Sequence, residues 1–237
     1  MIPLRRRGAP PVFPSFPQTF FFPMKLRSSF PEDVSAVVFD FGGVILDVDV
    51  SKTVEAFARL GVKNLTAAET QVGSGTFFEA NERGDFTPEE FWRRLRERAP
   101  ELASRSDAEL HAAWDALLGD FVPERVALLR ELRSRYRIFL LSNTNFAHRE
   151  TFLRRFSEQI GGDMNALFEK AFYSDLLRCV KPSHEIFEKV AALAGIVPSE
   201  TLFIDDNAKN VAAARECGWR AYRLVPGEES VLDLFER

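Results

Sequence analysis

The chain has 237 residues, 46% hydrophobic and 28% charged, a composition that suits a folded protein with a sizeable core and excludes a disordered or collagen-like chain. With 31 basic against 35 acidic residues and a net charge of −4, it is not a general nucleic-acid binder. Its two cysteines, Cys179 and Cys217, make no disulfide framework and no paired zinc spacing, which points to a reducing, cytoplasmic compartment, and no apolar run of about 18 residues is present to span a membrane.

The first thirty residues differ in kind from the rest. They hold Arg5, Arg6, Arg7, Lys25 and Arg27 and no acid, together with six of the 13 prolines and six of the 23 phenylalanines. Three arginines before an apolar stretch suggest a signal peptide. Pro10, Pro11, Pro14 and Pro17 break its helical region, however, and no small-residue cleavage site follows. Residues 1–33 are therefore expected to be a disordered leader, with Met24 as an alternative start.

From Ala36 the pattern alternates. Ala36-Val-Val-Phe-Asp40 reads as a strand buried on both faces and ending in an acid. Ser51 to Leu60 reads as a helix. Thr87-Pro-Glu-Glu90 and Ser106-Asp-Ala-Glu109 are capping boxes that open two more helices. Beyond them, a helix starts at Pro123, a strand covers Ile138-Phe-Leu-Leu141, and a helix follows Pro182 and stops at Gly195. Leu202-Phe-Ile204 is a third strand, Val211 to Arg215 a helix ending near Gly218, and Ala221 to Val225 a weaker fourth strand. Strands alternating with helices predict an α/β fold, a doubly wound parallel sheet that binds ligands at the carboxyl ends of its strands. The expected division is a core of residues 34–50 and 121–237 with a helical cap, 51–120, inserted after the first strand.

The polar groups gather at the predicted strand ends. Asp40 is followed by Phe41-Gly42-Gly43, whose glycines allow close backbone approach to a ligand. Ser142-Asn143-Thr144-Asn145 follows the second strand, Lys181 precedes Pro182, and Asp205-Asp206 closes the third strand. A carboxylate nucleophile, hydroxyl and amide donors for an anion, a lysine, and paired carboxylates for a divalent metal all suit one task. Each alone is weak, because acids often cap helices after strands.

In this order, the four motifs resemble those of the haloacid dehalogenase-like hydrolase superfamily. They are Val38-Phe-Asp40-Phe-Gly-Gly-Val44, Leu141-Ser142-Asn143-Thr144-Asn145, Val180-Lys181-Pro182 and Phe203-Ile-Asp205-Asp206-Asn207, and the likeness runs from residue 36 to about 225. The Ser-Asn-Thr-Asn run, Asp-Asp-Asn, and Glu82-Arg83-Gly84 in the cap are most similar to the subgroup that includes α-D-glucose-1-phosphate phosphatase. The resemblance implies a Mg²⁺-dependent phosphatase of a small phosphorylated metabolite, a sugar phosphate in particular. Asp40 would be the nucleophile that forms an aspartyl phosphate, and Ser142 and Asn143 would hold phosphoryl oxygens. Lys181 would neutralise their charge, and Asp40, the Gly42 carbonyl, Asp205 and Asp206 would serve the metal.

One departure matters. Most phosphatases of this superfamily carry a second Asp two residues after the nucleophile as general acid, and this chain has Gly42 there. A general acid is worth about 10²–10⁴-fold, so its loss favours leaving groups that need little protonation, an anomeric phosphate among them. Asp47 and Asp49 are nearby alternatives for the acid, against solvated or structural roles. Glu82 and Arg83 read either as a solvated turn before Gly84 or as cap contacts to sugar hydroxyls. Asn210 reads as metal support or as a helix-face amide, Cys179 as buried, and His111, His148 and His184 as surface or helix positions. Two other functions stay open: a metal-independent dehalogenase, and a catalytically weak binding or regulatory protein. The oligomeric state is not legible.

Overall fold

The computed structural model describes residues 24–63 and 76–236 of the chain. It begins with the short strand β1 (Lys25–Leu26) and the fully buried strand β2 (Ala36–Phe39). Next comes β3 (Leu46–Val48), which pairs antiparallel with the later β4 (Leu118–Phe121). Between these two strands lie helices α1 (Val50–Arg59), α2 (Phe77–Glu82), α3 (Pro88–Arg98) and α4 (Asp107–Trp114). After β4 the chain runs through α5 (Pro123–Leu132), β5 (Arg137–Ser142), α6 (Phe146–Gln159), β6 (Lys170–Tyr173) and the four-residue α7 (Ser174–Leu177). It ends with α8 (His184–Ala194), β7 (Thr201–Asp205), α9 (Ala208–Glu216), β8 (Arg220–Arg223) and β9 (Phe235–Glu236).

Five of these strands form one sheet in the order β6-β5-β2-β7-β8, with every neighbouring pair parallel. The chain builds outward from β2 to β6, then returns to lay β7 against the other edge of β2. The winding direction reverses there, opening a crevice at the carboxyl ends of the strands. Alternate residues of the central strands feed two cores. Val37, Phe39, Ile138 and Leu140 pack with Leu129 of α5 and Phe152 of α6. Val38, Phe139, Leu141 and Phe203 pack on the other face with Phe187 of α8 and Ala214 of α9. Burial on both faces explains the unbroken apolar runs, and each large side chain so buried contributes about 1.5–3 kcal/mol.

The helices between β3 and β4 have a core of their own, containing Phe57, Phe78, Phe91 and Trp114. Trp114 stacks on Phe78 at 5.1 Å between ring centroids. Ser106 and Glu109 complete a reciprocal capping box on α4. Thr87 caps α3 through the Glu90 amide, but the Glu90 carboxylate bonds Arg94 instead of reaching back, so the second expected box is only half formed. Trp114 ties this layer to the sheet domain through a 3.3 Å bond from its indole N–H to Asn145 Oδ1 at the start of α6.

The expected leader needs correcting at its end. Lys25–Leu26 pairs antiparallel with Phe235 and Glu236, Leu26 is buried, and Phe30 packs edge-on against Tyr222. Residues 24–33 are therefore part of the fold, because Leu26 and Phe30 find apolar partners that charge and proline content do not reveal. Residues 1–23 lie outside the described residues. Among the described residues, no helix is long and apolar enough to cross a membrane.

Candidate active site

Each sheet strand that reaches the crevice delivers a polar group just past its last apolar residue. Asp40 follows β2, Ser142 ends β5, and Asp205 ends β7 with Asp206 next to it. Lys181, in the segment before α8, is the hub. Its ammonium lies 2.8 Å from Asp40 Oδ1 and 2.7 Å from Asp205 Oδ2, and it donates to the Leu141 carbonyl at 3.0 Å. An ammonium has three N–H donors, and all three are satisfied here. Burial works against the charged lysine, but Asp205 and Asp40 outweigh it and hold its pKa above the usual lysine value.

The neighbouring groups hold this hub in place. The Asn143 carboxamide accepts from the Lys181 amide and donates to the Lys181 carbonyl, both at 2.9 Å. Asn143 was expected to grip phosphoryl oxygens, yet its side chain is engaged in fixing the Lys181 backbone. Ser142 lines the cavity with only a long 3.4 Å contact from its hydroxyl to the Asn143 carbonyl, so that hydroxyl is the freer donor. Asn210 donates to both Asp205 oxygens at 3.1 Å, and the Asn207 amide donates to Oδ1 at 2.8 Å. With Lys181 on Oδ2, the Asp205 carboxylate has filled most of its acceptor sites. Asp206, by contrast, is held only by its own backbone amide among the described residues.

Asp40, Asp205 and Asp206 come together, with one oxygen of each within 4.8 Å of the others. Three carboxylates around a single ammonium leave the cluster short of positive charge. Burial, with Asp205 close by, accordingly pushes the Asp40 carboxyl up to about 8. Burial and Asp205 raise that of Asp206 as well. A hard divalent cation with oxygen ligands fits such a donor set, and Gly42 lines the same cavity. On Asp40, Oδ1 is held by Lys181 and by the Phe41 amide at 2.7 Å, and Oδ2 takes part in neither bond.

These groups open into a cavity of about 890 Å³. Its far wall comes from the helical layer, through Glu82 at the end of α2 and Trp114 at the end of α4. The expectation of a solvated turn at Glu82-Arg83-Gly84 fails for Glu82. The serine that starts α7, Ser174, donates to the Glu82 carbonyl at 2.7 Å and accepts from the Thr144 amide at 2.9 Å, which latches α2 to the second motif. Gly84 sits against the chain at φ +75°, where a Cβ would meet the Asp175 carbonyl at 2.3 Å. Arg83 is not a cavity residue: it pairs with Glu79 and Asp85.

Three further expectations can be settled by position. Asp47 pairs with Arg125 at 2.7 Å and Asp49 caps α1 by accepting from Ser51, so each has a structural partner. Cys179 is buried, and burial raises its thiol pKa. His148 is no surface residue. It is buried beneath Trp114, stacked at 5.0 Å, and burial lowers its pKa to about 4. Its neutral ring bridges Asn145 and the Trp114 carbonyl, which makes it part of the wall's support.

A model of the haloacid dehalogenase-like hydrolases matches residues 34–218, which include every residue of this cluster. The chain belongs to that family. This hydrolase is 31% identical over 199 residues to the D-ribitol-5-phosphate phosphatase of Bacteroides thetaiotaomicron, covering 83% of this chain and 94% of that one. Its fold matches the crystal structure of a haloacid dehalogenase family enzyme from the same organism, in complex with magnesium and inorganic phosphate. The TM-score is 0.76 at 33% identity, over 83% of this chain and 96% of the other. A family hydrolase from Porphyromonas gingivalis matches with a TM-score of 0.74 at 29% identity, over 83% and 93% of the two chains. The L-2-haloacid dehalogenase of Xanthobacter autotrophicus shares the fold, with a TM-score of 0.54 at 21% identity over 81% and 77%.

Gly43 makes the acidic cluster testable. It adopts φ +74°, and a Cβ there would meet Asp206 Oδ2 at 2.5 Å. Gly43→Ala must therefore strain the backbone or push the Asp206 carboxylate aside. The variant is expected to bind a divalent cation about 10–100-fold more weakly by titration calorimetry while still unfolding cooperatively. Unchanged affinity would remove Asp206 from the ligand set.

Proposed function

We propose that this hydrolase is a Mg²⁺-dependent phosphatase that cleaves a small polyhydroxylated phosphomonoester, a sugar or sugar-alcohol phosphate, through an aspartyl phosphate on Asp40. The observation that carries this reading is the Asp40–Lys181–Asp205 bridge with Asp206 beside it, three carboxylates and one buried ammonium at the switch point of the sheet. Phosphoryl transfer depends mainly on positioning and charge stabilisation, and these groups supply both. A haloacid dehalogenase expels halide without a metal and has no use for a third carboxylate, Asp206, beside the bridge. The likeness to the Xanthobacter enzyme extends to the fold alone.

In this reading Asp40 Oδ2, the oxygen free of Lys181, attacks phosphorus. Lys181, pinned by Asn143, keeps Asp40 oriented and offsets negative charge on the phosphoryl group. Ser142 donates its hydroxyl to a phosphoryl oxygen, and Asn143 acts by positioning Lys181. Asp206 and Asp40 would hold Mg²⁺ directly, with the Gly42 carbonyl. Asp205, already engaged by Lys181, Asn207 and Asn210, would support the ion from behind. Bound Mg²⁺ supplies charge neutralisation for the phosphoryl oxygens. The cavity lies within the range of small-ligand pockets, about 300–1,000 Å³. Both the sequence resemblance to the α-D-glucose-1-phosphate phosphatase subgroup and the D-ribitol-5-phosphate phosphatase relative favour a polyhydroxylated leaving group. The same account divides the chain into a core of residues 34–50 and 121–237, carrying the phosphoryl chemistry, and a cap of residues 51–120 facing the leaving group.

Asp40→Asn removes the nucleophilic oxygen while keeping its shape, and phosphate release from polyol phosphates is expected to fall to background. Activity near that of the wild type would refute the covalent route. Mg²⁺ must displace protons from carboxyls whose pKa values are raised, so its affinity should strengthen as pH rises. Between about pH 6 and about pH 8, each unit is expected to tighten Kd by up to about tenfold, with proton release on binding measured by calorimetry. A pH-independent Kd with no proton release would show that the raised carboxyls are not ligands.

A further inference from the structure

Gly42 leaves the cleavage of an unactivated ester without a proton donor beside Asp40. An alkoxide is a poor leaving group, so a phosphatase of sugars or sugar alcohols needs an acid somewhere in the cavity. Asp47 and Asp49 are held by Arg125 and by the start of α1. Among the other acids lining the cavity, Asp40 and Asp206 belong to the metal cluster. That leaves Glu82.

Three observations set Glu82 apart. Glu82 lines the same cavity as Asp40 and Lys181 but comes from the helical layer, the side that a leaving group must face once phosphorus sits against the sheet. Its Oε2 is closed off from solvent and has no hydrogen-bond partner among the described residues. An unpaired buried carboxylate costs several kcal/mol, so the neutral acid is the form suited to this place, and its O–H then needs an acceptor that the protein does not supply. Finally, its backbone is fixed on both sides. Ser174 bridges it to Thr144 in the second motif, and Gly84 is locked against Asp175.

We propose that Glu82 is the general acid of this enzyme, replacing from the cap the acid that the Gly42 position lacks. The assignment rests on the phosphatase reading above. In the first step, Asp40 Oδ2 bonds to phosphorus, the phosphorus–ester oxygen bond breaks, and the Glu82 proton passes to the departing alkoxide to give the free alcohol. In the second, the Glu82 carboxylate takes a proton from water as its oxygen bonds to phosphorus. The Asp40–phosphorus bond then breaks, releasing inorganic phosphate and a reprotonated Glu82.

Burial supports this role by pushing the Glu82 carboxyl up to about 8, with Lys181 opposing and Asp40 and Glu79 reinforcing. The other charges on adjoining segments are paired: Arg83 with Glu79 and Asp85, and Asp175 of α7 with Arg149. Glu82 thus keeps its proton where an ordinary glutamate would have lost it.

The test compares kcat/KM, which reports steps only as far as acyl-phosphate formation, for two esters in saturating Mg²⁺. One is a primary alkyl phosphate such as D-ribitol 5-phosphate, and the other is 4-nitrophenyl phosphate, whose leaving group needs no proton. In Glu82→Gln, kcat/KM for the alkyl ester is expected to fall about 10²–10⁴-fold, against less than about tenfold for the aryl ester. A stoichiometric burst of 4-nitrophenol should appear, because the second step has lost its base. Glu82→Asp should recover part of the alkyl activity. Equal losses on both esters, or loss of folding, would make Glu82 a structural residue, and an undiminished alkyl rate would place the acid elsewhere. A wild type inactive on both esters would instead remove the phosphatase reading itself.

Discussion

The buried ammonium of Lys181 is the interaction on which the rest of the site depends. Two carboxylates from neighbouring strand ends, Asp40 and Asp205, would repel each other at this depth without it. Breaking a buried ion pair of this sort typically costs about 3–5 kcal/mol. The protein invests several further contacts in keeping the lysine where it is. The Leu141 carbonyl of β5 accepts a hydrogen bond from its third N–H, and Asn143 clamps its backbone from both sides. Asn207 and Asn210 hold Asp205 in turn. Four segments far apart in sequence are thus joined through a single side chain, at the place where the sheet reverses its winding. One ammonium against three carboxylates leaves a charge deficit, and that deficit is what suits the site to a cation and an anionic substrate together.

The second constraint is the division of labour between sheet and cap. In the proposed reading the sheet ends carry the groups that handle phosphorus, and Asp40, Ser142 and Asp205 are rigid because each lies at the end of a strand buried on both faces. The helical layer carries Glu82, whose place depends on Ser174 and on the close approach that Gly84 permits. On that reading, chemistry at the phosphoryl group and chemistry at the leaving group come from different elements. Such an arrangement lets the leaving-group side vary without disturbing the bridge beneath it.

Much of this was legible in the sequence, and the parts that were not share a cause. The central strands announce themselves as short apolar runs, each closed by a polar residue, since parallel strands buried on both faces have no polar alternation to confuse the reading. Strand β6 was missed because an edge strand beginning with the exposed Lys170 carries no such run. Helix α6 shows no clear apolar pattern, because the polar His148 and Thr151 share its buried face with Ala147, Phe152 and Phe156, although Asn145 caps it. Asp40, Lys181, Asp205 and Asp206, which strand-end position groups in the sequence, lie together in the structure. The contacts of Asn143 and Glu82 were not legible, for a different reason. Both roles rest on contacts with distant backbone, the Lys181 amide in one case and Ser174 in the other, and local spacing holds no record of either. His148 lies on a helix, one of the two readings its sequence allowed, but its stacking on Trp114 has no local record either.

The central claim is that Asp40 becomes phosphorylated, and trapping that state tests it most directly. The enzyme is mixed with Mg²⁺ and a polyol phosphate, quenched within a turnover, and treated with borohydride, which reduces an acyl phosphate to the alcohol. The peptide spanning β2 is then sequenced by mass spectrometry. The account predicts homoserine in place of Asp40, dependent on substrate and on Mg²⁺. An unmodified Asp40 with the label on another residue, or hydrolysis with no trapped residue at any quench time, would contradict it.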